Sequence, residues 1–169
     1  MLKTSLKGLL QGKLEGKTFK HYIYLVRDRE TVFYVGKSLD PVRRIYEHLG
    51  WDRGEKEDKS ELGRLIIQNL PKSLHWKIEL LKLRDCEFEV AKIMVKFTQS
   101  SEGMLIEDFI EEIEKYRLEC EINLDGAMRW AETAFILFYH PCLNKQRNYF
   151  PSPVPTRYLS IKKNKISDG

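Results

Sequence analysis

Residues Ala127 to Tyr139 (AMRWAETAFILFY) constrain the fold more than any other stretch of the chain. At helical spacing they are apolar nearly all round, and such a helix has to be enclosed by other elements. The segment therefore belongs at the centre of a core, and Pro141 ends it. Its single carboxylate, Glu132, stands out there. A charge taken out of water is costly, so it requires a cation, a metal ion or a route to solvent. Considered alone, Glu132 reads as half of a structural ion pair, with Arg129 one turn away as its partner.

The elements that enclose this helix are legible as local patterns. His21 to Arg27 (HYIYLVR) and Thr31 to Val35 (TVFYV) are rich in β-formers and flank a polar break, which predicts a hairpin. Asp40-Pro41 predicts a helix start, with Asp capping free amides and Pro at the first helical position. That helix should run to about Leu49 and stop at Gly50. Val42, Ile45, Tyr46 and Leu49 form its apolar stripe, with Arg44 and His48 together on the opposite face. A charged loop, Trp51 to Lys59, leads to a helix over about Ser60 to Asn69 and a third strand over His75 to Leu83. Asp85 to Gln99 fits helix or strand, and Met104 to Glu121 predicts an amphipathic helix with an acidic outer face. The expected organisation is a polar arm over 1–20, one domain over 21–146 and a basic, proline-containing tail over 147–169.

Charge distribution narrows the partners. The net charge is only +4, but both ends are basic. Residues 1–50 carry ten Lys/Arg against five Asp/Glu, and 143–169 carry six against one. Residues 101–125 carry nine acids against two bases. A positive surface is therefore compatible with the modest total. Cys86, Cys120 and Cys142 are odd in number and far apart, which argues against a disulfide framework or a zinc site. The longest apolar stretch, Thr133 to Tyr139, is far below the roughly 20 residues needed to span a bilayer. No export signal is visible in the first twenty residues, so the expected location is cytoplasmic, away from membranes.

Tyr22-Ile23-Tyr24, nine intervening residues and Tyr34-Val35-Gly36-Lys37 together resemble the paired signature of the GIY-YIG nuclease family. The order continues with Arg44 ten residues after Tyr34, His48 four further on, Glu132 late, and Asn144 twelve after Glu132. The resemblance covers roughly 21–50, 60–83 and 127–145. It departs at Tyr22, where glycine is usual, and in the stretch of about 85–125, which is longer than a minimal domain needs. It implies an α/β fold of the α+β type: a small three-stranded antiparallel sheet flanked by helices, with a helical insertion at 85–125.

The same resemblance implies a divalent-metal-dependent endonuclease that hydrolyses phosphodiester bonds, DNA ahead of RNA. Glu132 would hold Mg²⁺ or Mn²⁺, both of which favour hard oxygen ligands. Arg44 would fork onto the scissile phosphate. Tyr24 and Tyr34 would orient the attacking water, and one of them, Tyr34 first, would act as base once nearby cations lower its pKa. Lys37 is placed to assist that lowering. His48 would shuttle a proton, and Asn144 would support the site through hydrogen bonds. Gly36 reads as the turn out of a strand; His21, His75 and His140 read as structural. One copy of the site cuts one strand, so the 85–125 insertion is the candidate surface for a homodimer or a protein partner. Two alternatives stand beside this reading: a non-catalytic nucleic-acid-binding module, and a protein-interaction domain acting through the acidic helix.

Overall fold

The structure is a computed structural model that describes residues 1–51, 60–99, 111, 114 and 123–159. Most of the helix expected over Met104 to Glu121 and most of the loop expected over Trp51 to Lys59 lie outside the described residues. Four antiparallel strands form one sheet in the order β1-β4-β2-β3: β1 Leu2–Ser5, β2 His21–Asp28, β3 Thr31–Lys37 and β4 Lys77–Lys82. The sheet thus has one strand more than the three expected. The extra strand comes from the opening residues, where Leu2 to Ser5 pair with Leu80 to Lys77 of β4. Ser5 then caps α1, Leu6–Leu10, whose Leu6 and Leu9 are buried. A four-residue strand and a one-turn helix are too short to leave a periodic signature in sequence.

The hairpin forms as expected. Asp28 pairs with Thr31 across the two-residue turn Arg29-Glu30, and Arg29 takes the left-handed conformation with φ 54°. Helix α2, Pro41–His48, starts under the Asp40 cap; α3, Glu61–Gln68, starts under Ser60. The ambiguous segment is helical, as α4, Leu83–Gln99, and the greasy segment becomes α5, Leu124–Tyr139, capped by Asn123.

Alternation along the strands divides the core between the two faces of the sheet. Tyr24, Val26, Phe33, Ile78 and Leu80 pack with α1, α2 and α3. Ile23, Leu25, Val35 and Leu81 pack with α4 and α5, where Ala131, Ala134 and Phe135 are buried. Burial of each large apolar side chain stabilises the fold by roughly 1.5–3 kcal/mol, which is what a helix apolar on most sides requires. Among the described residues, no helix is long and apolar enough to cross a membrane.

Candidate active site

Tyr24 and Gly36 are direct partners across the β2–β3 ladder. Cross-strand partners share a face, so the Tyr24 side chain crosses the Gly36 main chain. A Cβ at Gly36 would lie 2.3 Å from Cζ and 2.4 Å from Oη of Tyr24. Gly36 is therefore more than the turn out of a strand: its missing side chain is the space that Tyr24 occupies. Tyr34 stands two residues earlier on β3, with its ring centroid 5.9 Å from that of Tyr24. Tyr24 is only 1% exposed, whereas Tyr34 is half-buried.

Helix α2 delivers the cationic and basic groups to the same place. The Asp40 carboxylate accepts from the Arg43 amide at 3.2 Å, and Pro41 fixes the first turn. Arg44 and His48 then lie one turn apart on one side of the helix. That side was expected opposite the apolar stripe, but His48 is 2% exposed and faces the tyrosines. Its Nε2 lies 2.9 Å from Tyr24 Oη and its Nδ1 lies 2.6 Å from Ser60 Oγ. The Tyr34 ring meets the imidazole edge-on at 5.0 Å between centroids. Arg44 donates from Nη1 to Glu47 Oε2 at 2.9 Å, and its charge bears on Tyr24.

Glu132 arrives from the other layer. Helix α5 packs against the opposite face of the sheet, but β3 is an edge strand, and Lys37 at its end bears electrostatically on Glu132. The carboxylate is close enough to raise the pKa of both Tyr24 and Tyr34. The Glu132 side chain is 15% exposed, and Arg147 Nη1 lies 3.4 Å from its Oε1. Arg147, rather than the expected Arg129, makes this ion pair. Arg129 instead pairs with Asp125 at 3.2 Å, and Lys37 Nζ meets the other Asp125 oxygen at 3.4 Å.

Asn144 is a splint rather than a wall of the site. Its Oδ1 accepts from Val35 N at 2.9 Å and its Nδ2 donates to Val35 O at 2.7 Å. The amides of Cys142 and Leu143 donate to Val32 O and Phe33 O, so residues 142–144 run along the free edge of β3. The main-chain groups on either side of Val35 belong to Tyr34 and Gly36, so this splint holds both in register.

A comparison with models of known protein families matches residues 20–116, more than half of the chain, to the GIY-YIG catalytic domain. This chain belongs to the GIY-YIG family. Comparisons with curated proteins and with solved structures found no match. GIY-YIG proteins are endonucleases that act on nucleic acid and generally depend on a divalent metal, so membership brings nuclease-type hydrolase chemistry and a nucleic-acid partner. The match includes the hairpin and α2; Glu132 and Asn144 lie beyond it.

The electrostatics of this GIY-YIG site put the protons in definite places. Burial, then the neighbouring Tyr34, drives the Tyr24 phenol well above its ordinary range, against the pull of Arg44. Burial and then Glu132 raise Tyr34. Burial, then Arg44, lowers His48 to about 4. At neutral pH both tyrosines therefore keep their protons and His48 is an uncharged acceptor. The expectation of a lowered tyrosine pKa fails for the chain's own groups, because desolvation outweighs Arg44. Arg44 is the cation that pulls on both phenols, while the charge of Lys37 is felt by Glu132. Burial raises Glu132 too, with Lys37 and Arg147 opposing it.

Sequence reasoning passes over Ser60, Gly63 and Arg147. Ser60 carries the ordinary signal of a helix cap and nothing that points to His48. A Cβ at Gly63 would sit 1.7 Å from the His48 carbonyl oxygen, so a glycine inside α3 marks a close helix approach. Arg147 follows the Pro-Cys-Leu-Asn segment as one basic residue among several.

Proposed function

We propose that this GIY-YIG protein is a divalent-metal-dependent endonuclease acting on DNA, with Glu132 as metal ligand, Arg44 on the scissile phosphate and the Tyr34–Tyr24–His48 series handling the proton of the attacking water. The observation that carries the reading is the grouping of two phenols and an uncharged imidazole beside Arg44, with a largely buried carboxylate whose charge bears on both phenols.

A hard divalent cation fits this set. A carboxylate whose pKa burial raises gains from a neighbouring positive charge, and its present partner is a 3.4 Å ion pair that can be exchanged. Among the described residues no group of three or more His, Cys, Asp or Glu gathers, so Glu132 would act as a lone protein ligand beside water and phosphate oxygens. When bound there, Mg²⁺ or Mn²⁺ supplies charge neutralisation at the phosphate and at the departing oxygen.

The chain's own residues do the rest. Arg44 leaves Glu47 and forks onto the phosphate, where its charge is of greatest use as the pentacovalent transition state forms. Tyr34, the more open phenol, holds the water in line. As the water oxygen attacks phosphorus, its proton passes to Tyr34 Oη, the Tyr34 proton to Tyr24 Oη, and the Tyr24 proton to His48 Nε2. The two phenols end as they began and His48 ends as imidazolium. A base with a pKa near 4 is weak in the resting site, but the negative charge of the bound phosphodiester, growing as the pentacovalent transition state forms, raises it during the reaction.

The test uses supercoiled plasmid with branched and single-stranded substrates, under Mg²⁺, Mn²⁺ or EDTA, beside Glu132→Ala and Arg44→Ala. Wild type should cleave only with metal, and neither variant should cleave. Binding without cutting would support a non-catalytic module instead. The 85–125 segment is proposed as the dimer surface, and double-strand cutting by a monomer in light scattering would remove it.

A further inference from the structure

We propose that Ser60 is a positioning residue: its hydroxyl takes the Nδ1 proton of His48 and leaves Nε2 bare toward the Tyr24 hydroxyl. The consequence for catalysis rests on the nuclease reading above; the tautomer itself rests on geometry alone.

Donors and acceptors around the His48 ring fix its tautomer. The Ser60 hydroxyl donates to His48 O, so toward Nδ1 it can only accept. Tyr24 is fully enclosed, and its own O–H needs an acceptor; His48 Nε2 stands 2.9 Å away. A neutral imidazole with a bare Nε2 carries its proton on Nδ1, and the group 2.6 Å from Nδ1 is Ser60 Oγ.

Ser60 can receive it. A serine hydroxyl offers one donor and two acceptor sites. The amide of Gly63 donates to Oγ at 3.2 Å, as expected for a helix cap, and the Ser60 hydroxyl proton points to His48 O at 3.5 Å. One acceptor site is left, and His48 Nδ1–H fills it. All the partners of this hydroxyl are then used.

The placement is built by the sequence of α3. Gly63 has no Cβ, so the first turn of α3 lies directly against the His48 carbonyl at the end of α2, where any side chain would collide with main chain. That contact brings the cap of α3 to the ring of a residue at the end of α2. One serine thus closes a helix start and fixes a tautomer.

The test separates the two claims. Histidine-labelled protein is studied by long-range ¹H–¹⁵N NMR without substrate, with His48 assigned by its loss in His48→Gln. Wild type should show the Nδ1–H tautomer. Ser60→Gly removes Oγ, and glycine is itself tolerated at a helix start. It should mix the tautomers and lower kcat tenfold or more with KM within twofold, and Ser60→Thr should restore both. An Nε2–H tautomer in wild type overturns the proposal, as does a Ser60→Gly protein with unchanged tautomer and rate. The expected tautomer change in a protein that cleaves nothing supports the positioning and overturns the nuclease reading instead.

Discussion

Gly36→Ala is the substitution whose effect can be worked most fully from the structure. The added Cβ meets Tyr24 Cζ at 2.3 Å, Oη at 2.4 Å and Cε1 at 2.6 Å. Ordinary carbon contacts begin near 3.5 Å, so the ring has to retreat by roughly 1 Å. It has nowhere easy to go: Tyr24 is 1% exposed, and Oη is held 2.9 Å from His48. Overpacking of this kind costs about 1–3 kcal/mol. For a chain of this size that lowers Tm by about 2–12 °C. The same shift stretches the Tyr24–His48 bond to nearly 4 Å, beyond hydrogen-bonding distance. Misplacement by about 1 Å lowers the rate on the order of 10²-fold. Calorimetry and single-turnover cleavage of a labelled duplex read the two effects together. A Gly36→Ala protein that melts and cuts like wild type would refute the steric reasoning; one that melts early but cuts normally would remove Tyr24 from the proton path.

Three further outcomes are expected. His48 accepts a proton only near pH 4 in the folded protein, against 6.5 ordinarily, so the unfolded chain binds more protons between those values. Its contribution to stability is full above about pH 6.5 and falls by roughly 3 kcal/mol as pH drops toward 4. His48→Gln should flatten the fall of Tm over that window, Glu132 acting alike in both proteins; an unchanged slope would place the titration elsewhere. Asn144→Ala leaves the Val35 N–H and C=O without their partners, at a cost of about 1–3 kcal/mol read from urea midpoints, together with a lower kcat. Wild-type values for both would mean that the edge of β3 needs no splint. Arg147→Ala removes a cation that opposes the raised pKa of Glu132, so the acidic limb of the cleavage profile should move to higher pH; a limb that stays in place would separate Glu132 from it.

Much of the fold was legible because local signals agreed with one another. The hairpin announced itself through β-formers around Asp28-Arg29-Glu30, α2 through the Asp40 cap, and α3 through the helical spacing of Leu62, Leu65 and Ile66. Strand β1 was hidden because LKTS gains its strand character from β4, some seventy residues away, and not from its own pattern. Asp85 to Gln99 was ambiguous because an apolar run with charges suits either state until packing decides. In the site, Tyr24, Tyr34, Arg44 and His48 could be expected from the family resemblance, whose motifs fall on a hairpin and the helix after it, both local structure. The place of Glu132 could be expected only from the family too, and it depends further on how the two layers stack. Burial was the least legible quantity. No spacing reveals that His48 is enclosed or that Ser60 lies against its ring, and it is burial that sets the direction of each pKa.

The decisive observation is the position of Mn²⁺ by anomalous scattering in crystals of the protein with a phosphodiester analogue that cannot be hydrolysed. A single ion about 2.1 Å from a Glu132 oxygen, sharing a phosphate oxygen, with Arg44 drawn from Glu47 onto that phosphate, is the expected result. An ion bound elsewhere, with Glu132 still paired to Arg147 and the phosphate remote from Tyr34, would show that these residues are not the nuclease centre.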